Sequence, residues 1–182
     1  MSKVILAIDP STVRVGWATL RMPLDFECIC RLDAGWQYGS WTLQGGTIVQ
    51  RARSLDPLLV AAGDICHLIV EQPTFFNSEA GRIAAREGTV FKLSIVVGYL
   101  LGRLRLNSED ITLYTPSQWK GMVTKDITRK KFYRVFKDAA ARDAWGDTTR
   151  YDHDTVDAVM MLHYWLTQRS KQSDHLTRVK IG

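Results

Sequence analysis

Apolar residues run unbroken from Val4 to Ile8 and stop on a carboxylate, Asp9, with Pro10, Ser11 and Thr12 directly behind it. Such a run reads as a buried strand. The chain then returns through Gly16, Trp17, Ala18 and Leu20, the second arm of a hairpin, which leaves Asp9 at the rim where backbone pairing ends. Residues 26–32 put Phe26, Cys28, Cys30 and Leu32 on one face and predict a third strand. Residues 35–46 hold Trp36, Tyr38 and Trp41 among glycines and read as loop or strand end.

Residues 47–62 have helical spacing, with Pro57 expected to kink the helix or start a second turn. Residues 67–73 form a short buried strand that repeats the opening pattern: apolar residues, then an acid, Glu71, with a proline close behind. One long helix is expected over residues 77–106, its apolar residues (Val90, Leu93, Val97, Leu100, Leu104) recurring at helical intervals. Its glycines, Gly88, Gly98 and Gly102, weaken it but permit close approach of another element. A strand at 111–116, a helical turn at 117–122 and an amphipathic helix from an N-cap at Asp126 follow. A last helix covers 154–169. The order is βββ-α-β-α-β-α-α, an α/β arrangement in a single domain, residues 1–169, with a polar, flexible tail at 170–182.

Composition narrows the setting. The 182 residues, 46% hydrophobic and 24% charged, suit one self-sufficient globular domain. Three cysteines without a CxxC pair imply a reduced, cytoplasmic compartment and no structural zinc. No secretory signal is visible, and the longest apolar window, 93–101, is about half the ~20 residues a membrane span needs.

The net charge of +5 is concentrated in one place. Residues 118–142 carry eight basic side chains against two acids, a local excess of six that outweighs the whole chain's. A basic helix is often no more than a solvated face. The acids elsewhere alter that reading.

Asp9 and Glu71 end two strands, and Asp154 and Asp157, three residues apart, share one face of the last helix. Acids near a helix N-terminus are favoured by the macrodipole alone. Four carboxylates converging without basic partners repel one another, however, and a divalent cation is the usual remedy. Hard oxygen donors suit Mg²⁺, with Mn²⁺ as its substitute. Two such ions, roughly 3.5–4 Å apart, can activate water and stabilise the leaving oxygen of a phosphodiester.

The segments "AIDPSTVRVGWA", "LIVEQP" with Phe75 and Phe76 behind it, "YTPSQWKGMV" and "DHDTVDAVMML" together resemble the RuvC-type Holliday-junction resolvases of the RNase H-like superfamily, in order and over nearly the whole chain. The resemblance implies a mixed five-stranded sheet, an antiparallel meander of strands 1–3 followed by strands 4 and 5, flanked by helices. It implies a bacterial or bacteriophage homodimer that nicks four-way DNA junctions symmetrically. The catalytic metal ligands it implies are Asp9, Glu71, Asp154 and Asp157, with two Mg²⁺ ions and no small-molecule cofactor. His153 and Asp152 lie close to the third position, and the three-residue spacing favours Asp154. It puts Phe75 or Phe76 beside the junction centre, and Lys120, Lys125, Arg129, Lys130 and Lys131 on phosphates. The helix of 77–106 becomes the dimer interface. Residues 35–46 and Pro57 have no counterpart in that pattern.

Other readings compete with it. "DPSTVRVG" faintly resembles the phosphate hairpin of actin-like ATPases, which need two such domains and lack the DxxDA helix. A ribonuclease H, a branch-specific nuclease of broader range, or a non-catalytic junction-binding relative would share the fold and differ in substrate or chemistry.

Overall fold

The computed structural model describes residues 3–22, 35–74, 79–121, 123–136 and 152–179. Five strands form one sheet: β1 (Lys3–Asp9), β2 (Arg14–Arg21), β3 (Trp36–Thr42), β4 (Asp64–Glu71) and β5 (Ile111–Tyr114), in the order β3-β2-β1-β4-β5. The β1–β2 and β2–β3 pairs are antiparallel; β1–β4 and β4–β5 are parallel. Six of the helices are α1 (Ile48–Arg53), α2 (Asp56–Ala62), α3 (Glu79–Arg86), α4 (Thr89–Leu104), α5 (Pro116–Trp119) and α6 (Lys125–Val135). The seventh, α7, spans His153–Val179.

Strand β1 is apolar throughout because both its faces are covered. Ile5 and Ala7 enter one core with Ala18, Ile69, Phe132 and the α7 residues Val159 and Leu162. Leu6 and Ile8 enter the other, with Leu68, Val70, Leu55, Val97 and Leu100. At two residues per repeat, Asp9 follows Ala7 and Glu71 follows Ile69 onto the α7 side of the sheet. The parallel pairing of Ile8 with Val70 sets the two acids side by side.

The third strand of the sheet comes from the aromatic, glycine-rich stretch that reads as loop or strand end. Residues 26–32, expected to form a strand, lie outside the described residues. Trp36 and Tyr38 face the α7 core while Trp41 packs on the other, so the alternation of a strand is present. Gly39, which obscured it, pairs with Trp17, and the indole lies over the bare Cα.

Two helices also differ from expectation. The single helix of 77–106 is α3 and α4, parted at Gly88, whose φ of 68° is left-handed and ends a helical run at little cost. The predicted N-cap Asp126 lies one residue inside α6, whose cap position is Thr124. Pro57 does start a new helix, in the first turn of α2. Helix α7 continues beyond residue 169 through the polar stretch to Val179.

Candidate functional site

The site lies where the C-terminal ends of β1 and β4 meet the first turns of α7. Parallel strands end together, so their terminal side chains open into one crevice. Glu71 is paired across to Tyr114, and the Gln72 N–H donates to the Tyr114 carbonyl at 2.7 Å, which carries the β4–β5 ladder past the acid. Helix α5 follows β5 at once. Gln118 accepts a hydrogen bond from the Thr115 backbone N–H at 2.7 Å, and Pro116 opens the helix, so the chain turns back over Glu71.

That turn delivers two side chains. The buried Trp119 donates its Nε1–H to Glu71 Oε2 at 2.9 Å. The Lys120 Nζ lies 2.8 Å from Asp157 Oδ2 and 3.4 Å from Glu71 Oε2, bridging a strand-end acid and a helix acid. The same ammonium stands 4.8 Å from the centre of the Trp119 ring.

Helix α7 is set in place by its cap and by a glycine. Asp152 is its N-cap, its Oδ1 accepting the Thr155 N–H at 2.8 Å. Gly16, opposite Asp9 in β2, faces the α7 side; a Cβ there would overlap the backbone carbonyl of Asp154. The missing side chain lets α7 approach the sheet and brings Asp154 and Asp157 toward Asp9. Arg14, at the start of β2, adds a cation 3.4 Å from Asp152 and 3.9 Å from Asp154.

Electrostatics record this convergence. Burial first, then the negative charges of Glu71, Asp157 and Asp154, push the Asp9 carboxyl well above the usual range, with Lys120 opposing them. Glu71 is raised by burial against the pull of Lys120 and the Trp119 hydrogen bond. Asp154 is raised by burial and by Asp152, with Lys125 and Arg14 opposing. Burial acts to raise Asp152 also, but its bonds to Thr155 and the charge of Arg14 take it below the ordinary value. This suits a structural cap and separates its role from that of Asp154. Among the described residues no three acids or histidines are drawn together as ligands round a common point. An ammonium, Lys120, holds two of the four carboxylates instead.

The basic residues are divided. Lys125 and Lys130 are exposed, while Arg129 and Lys131 are half-buried. At 100° per residue the α6 cations lie on both sides of its buried face of Thr128 and Phe132. Arg129 and Lys130 line one hollow with Asp126 and Tyr133. Lys131 lines another with Lys120 and Arg134. Phe75 and Phe76 lie outside the described residues.

Sequence reasoning missed Trp119, Arg14 and Gly16. A hydrogen bond spanning 48 residues, as from Trp119 to Glu71, leaves no local pattern. Gly16 stood in the hairpin, but only the register showed it opposite Asp9.

No family model and no curated protein sequence matches the chain. Solved structures do. Thermus thermophilus RuvC in complex with a Holliday junction substrate superposes with a TM-score of 0.52 at 10% identity, covering 92% of this chain and 96% of that one. A further Thermus thermophilus RuvC structure gives 0.54 at 12% identity over the same shares of each chain. The mixed five-stranded sheet and its flanking helices are a RuvC-like, RNase H-like fold.

Proposed function

We propose that the protein is a divalent-metal-dependent endonuclease that resolves four-way DNA junctions by paired nicks. The observation that carries this reading is the convergence of Asp9, Glu71, Asp154 and Asp157 from two strand ends and one helix, close enough that the other three raise the Asp9 carboxyl, with Lys120 bridging Glu71 and Asp157. The fold is that of a protein solved with a Holliday junction substrate.

Mg²⁺ or Mn²⁺ fits the donor set. All four donors are hard oxygens, and the Asp9 carboxyl is raised first by burial and then by its negative neighbours, the part of the imbalance that a cation relieves. Asp9, Glu71, Asp154 and Asp157 would hold it. When bound, a pair of such ions supplies an activated water and charge stabilisation at the leaving oxygen. The chain's own residues prepare the site. Trp119 fixes one oxygen of Glu71, Gly16 and the Asp152 cap seat α7, and Lys120 keeps Glu71 and Asp157 together before the ion enters. Lys120, Lys125, Arg129, Lys130 and Lys131 would take backbone phosphates, so affinity should fall steeply with salt.

A junction offers two equivalent strands, and a twofold dimer presents two equivalent sites. The outer side of α3 and α4 suits that contact. Ile83, Phe91 and Ile95 are 50%, 71% and 40% exposed, and no neighbouring atom crowds Gly98 or Gly102. No described helix is long and apolar enough to cross a membrane.

The test compares a labelled four-way junction, the matched linear duplex and an RNA–DNA hybrid, with Mg²⁺ and with EDTA, for the wild type and Asp9→Asn. Symmetric nicks in the junction alone, lost with EDTA and with the variant, are expected. Hybrid cleavage would make the protein a ribonuclease on the same metal chemistry; tight junction binding without cleavage in any metal would leave a structural DNA-binding protein.

A further inference from the structure

Beside the carboxylates, on the far side of Lys120, a cavity of about 230 Å³ opens between α5, α6 and α7. Trp119, Met160, His163 and Tyr164 give it aromatic and apolar walls, and Lys131 and Arg134 join Lys120 to supply its charge. None of its described lining residues is an acid. Lys120 is already engaged by Glu71 and Asp157, but no ion pair joins Lys131 or Arg134 to a described acid. His163 makes no hydrogen bond to a described residue, and burial lowers its pKa, which favours the neutral ring.

The cavity arises from helix geometry. Met160, His163, Tyr164 and Thr167 fall at i, i+3, i+4 and i+7 on α7, along the flank of the face that packs on the sheet. Thr128, Lys131 and Arg134 descend the matching flank of α6. The helices touch along Phe132 and part beside it. A slot with aromatic walls and, at its rim, two cations that no described acid pairs matches one ligand class best: a flat, aromatic body carrying an anion, that is, a nucleotide.

We propose that this cavity takes one nucleotide of the cleaved strand, its base between the aromatic walls and its phosphate against Lys131 and Arg134. This deepens the proposed function and rests on it, because the cavity and the carboxylates share Lys120, which sets the held nucleotide beside the bond to be cut. Strands at an exchange point are partly unpaired, so extruding a base costs least there. Tyr164, His163 and Thr167 offer hydrogen-bonding groups to base edges, so the pocket sets which base is preferred next to the nick.

The experiment titrates each of the four deoxynucleoside 5′-monophosphates, and inorganic phosphate, onto the metal-free protein by NMR. Wild type is compared with Arg134→Gln, an exposed position whose change leaves the core intact, and with Thr167→Trp, which fills the slot. Saturable nucleotide binding is expected, at least tenfold tighter for one base than for phosphate alone, weakened about tenfold by Arg134→Gln and abolished by Thr167→Trp. In junction cleavage, the same variants should flatten the base preference at the nick. Absence of saturable binding, or binding that neither variant alters, overturns the pocket. The titration needs no cleavage. Junction resolution without nucleotide binding rejects the pocket and keeps the resolvase; nucleotide binding without cleavage does the reverse.

Discussion

Gly16 holds the backbone of Asp154 against its bare Cα, and through its pairing with Asp9 it ties the helix acid to the strand acid. Its φ is not positive, so space is what requires glycine here. The obstructing atoms are a carbonyl and the next amide nitrogen, which cannot swing aside as a side chain does. Gly16→Ala should therefore lift the start of α7, cost ~1–3 kcal/mol as overpacking does, and reduce junction cleavage at least tenfold. Gly39→Ala is the matched control, since the nearest atoms its Cβ would meet are those of the Trp17 ring, at an ordinary 3.4 Å. Thermal melts and cleavage rates of both variants check this; equal effects would remove the special role given to Gly16.

Trp119 is the one described donor that touches Glu71 without carrying charge. Trp119→Phe keeps most of the ring and removes the Nε1–H, which should cost about 1 kcal/mol. The bond holds the Glu71 pKa down, so its loss lets burial raise that carboxyl further. A raised carboxyl is protonated over a wider acid range, and the acid limb of the pH–rate profile should move to higher pH. A profile superimposable on that of the wild type would show that the indole is only packing.

Lys120 joins Glu71 to Asp157 with its own side chain only 18% exposed. Removing one member of such a group leaves like charges facing each other, at a cost of ~3–5 kcal/mol when buried and less at this rim. Lys120→Met should accordingly melt lower than the wild type in EDTA. Mg²⁺ should raise its melting temperature by more than it raises that of the wild type, because the ion takes over the neutralising role. An equal Mg²⁺ shift in both proteins would mean that Lys120 and the metal do not answer to the same carboxylates.

The parts of this architecture written in local periodicity were readable in advance. The unbroken apolar run of 4–8 predicts a strand covered on both sides once helices flank it, and period two carries Asp9 and Glu71 onto the face of Ala7 and Ile69. The three-residue interval of Asp154 and Asp157 likewise needs only helical geometry. What escaped depends on partners distant in sequence. Strand β3 looks like a loop until Trp17 covers Gly39, and Gly88 looks like no more than a weak helix position because nothing local marks its φ of 68°. Arg14 and Trp119 became site residues only when β2 met the start of α7 and α5 folded back on β4.

Far from the acids, His67 sits in the sheet with its Nε2 3.0 Å from the Thr112 hydroxyl and its ring 4.6 Å from that of Trp165. Trp165 also donates to Thr112 Oγ1, at 3.2 Å. The hydroxyl accepts from the indole and shares a second hydrogen bond with His67 Nε2, whose direction is set by the ring's tautomer. Burial, helped by the charge of Arg169, lowers the ring's pKa from 6.5 to about 4. Above pH 6.5 the ring is neutral folded or unfolded and adds no pH dependence. Between 6.5 and about 4 the unfolded chain binds a proton that the folded one refuses, so stability falls as the pH drops, by no more than ~3 kcal/mol. Raised acids such as Asp9 act in the opposite sense, so the comparison needs a variant. His67→Gln keeps a polar group for Thr112 and cannot titrate. Denaturant melts from pH 7.5 to 4 should show the wild type losing stability relative to His67→Gln, with the gap opening below pH 6.5. Parallel curves would show that His67 takes up its proton without leaving its site.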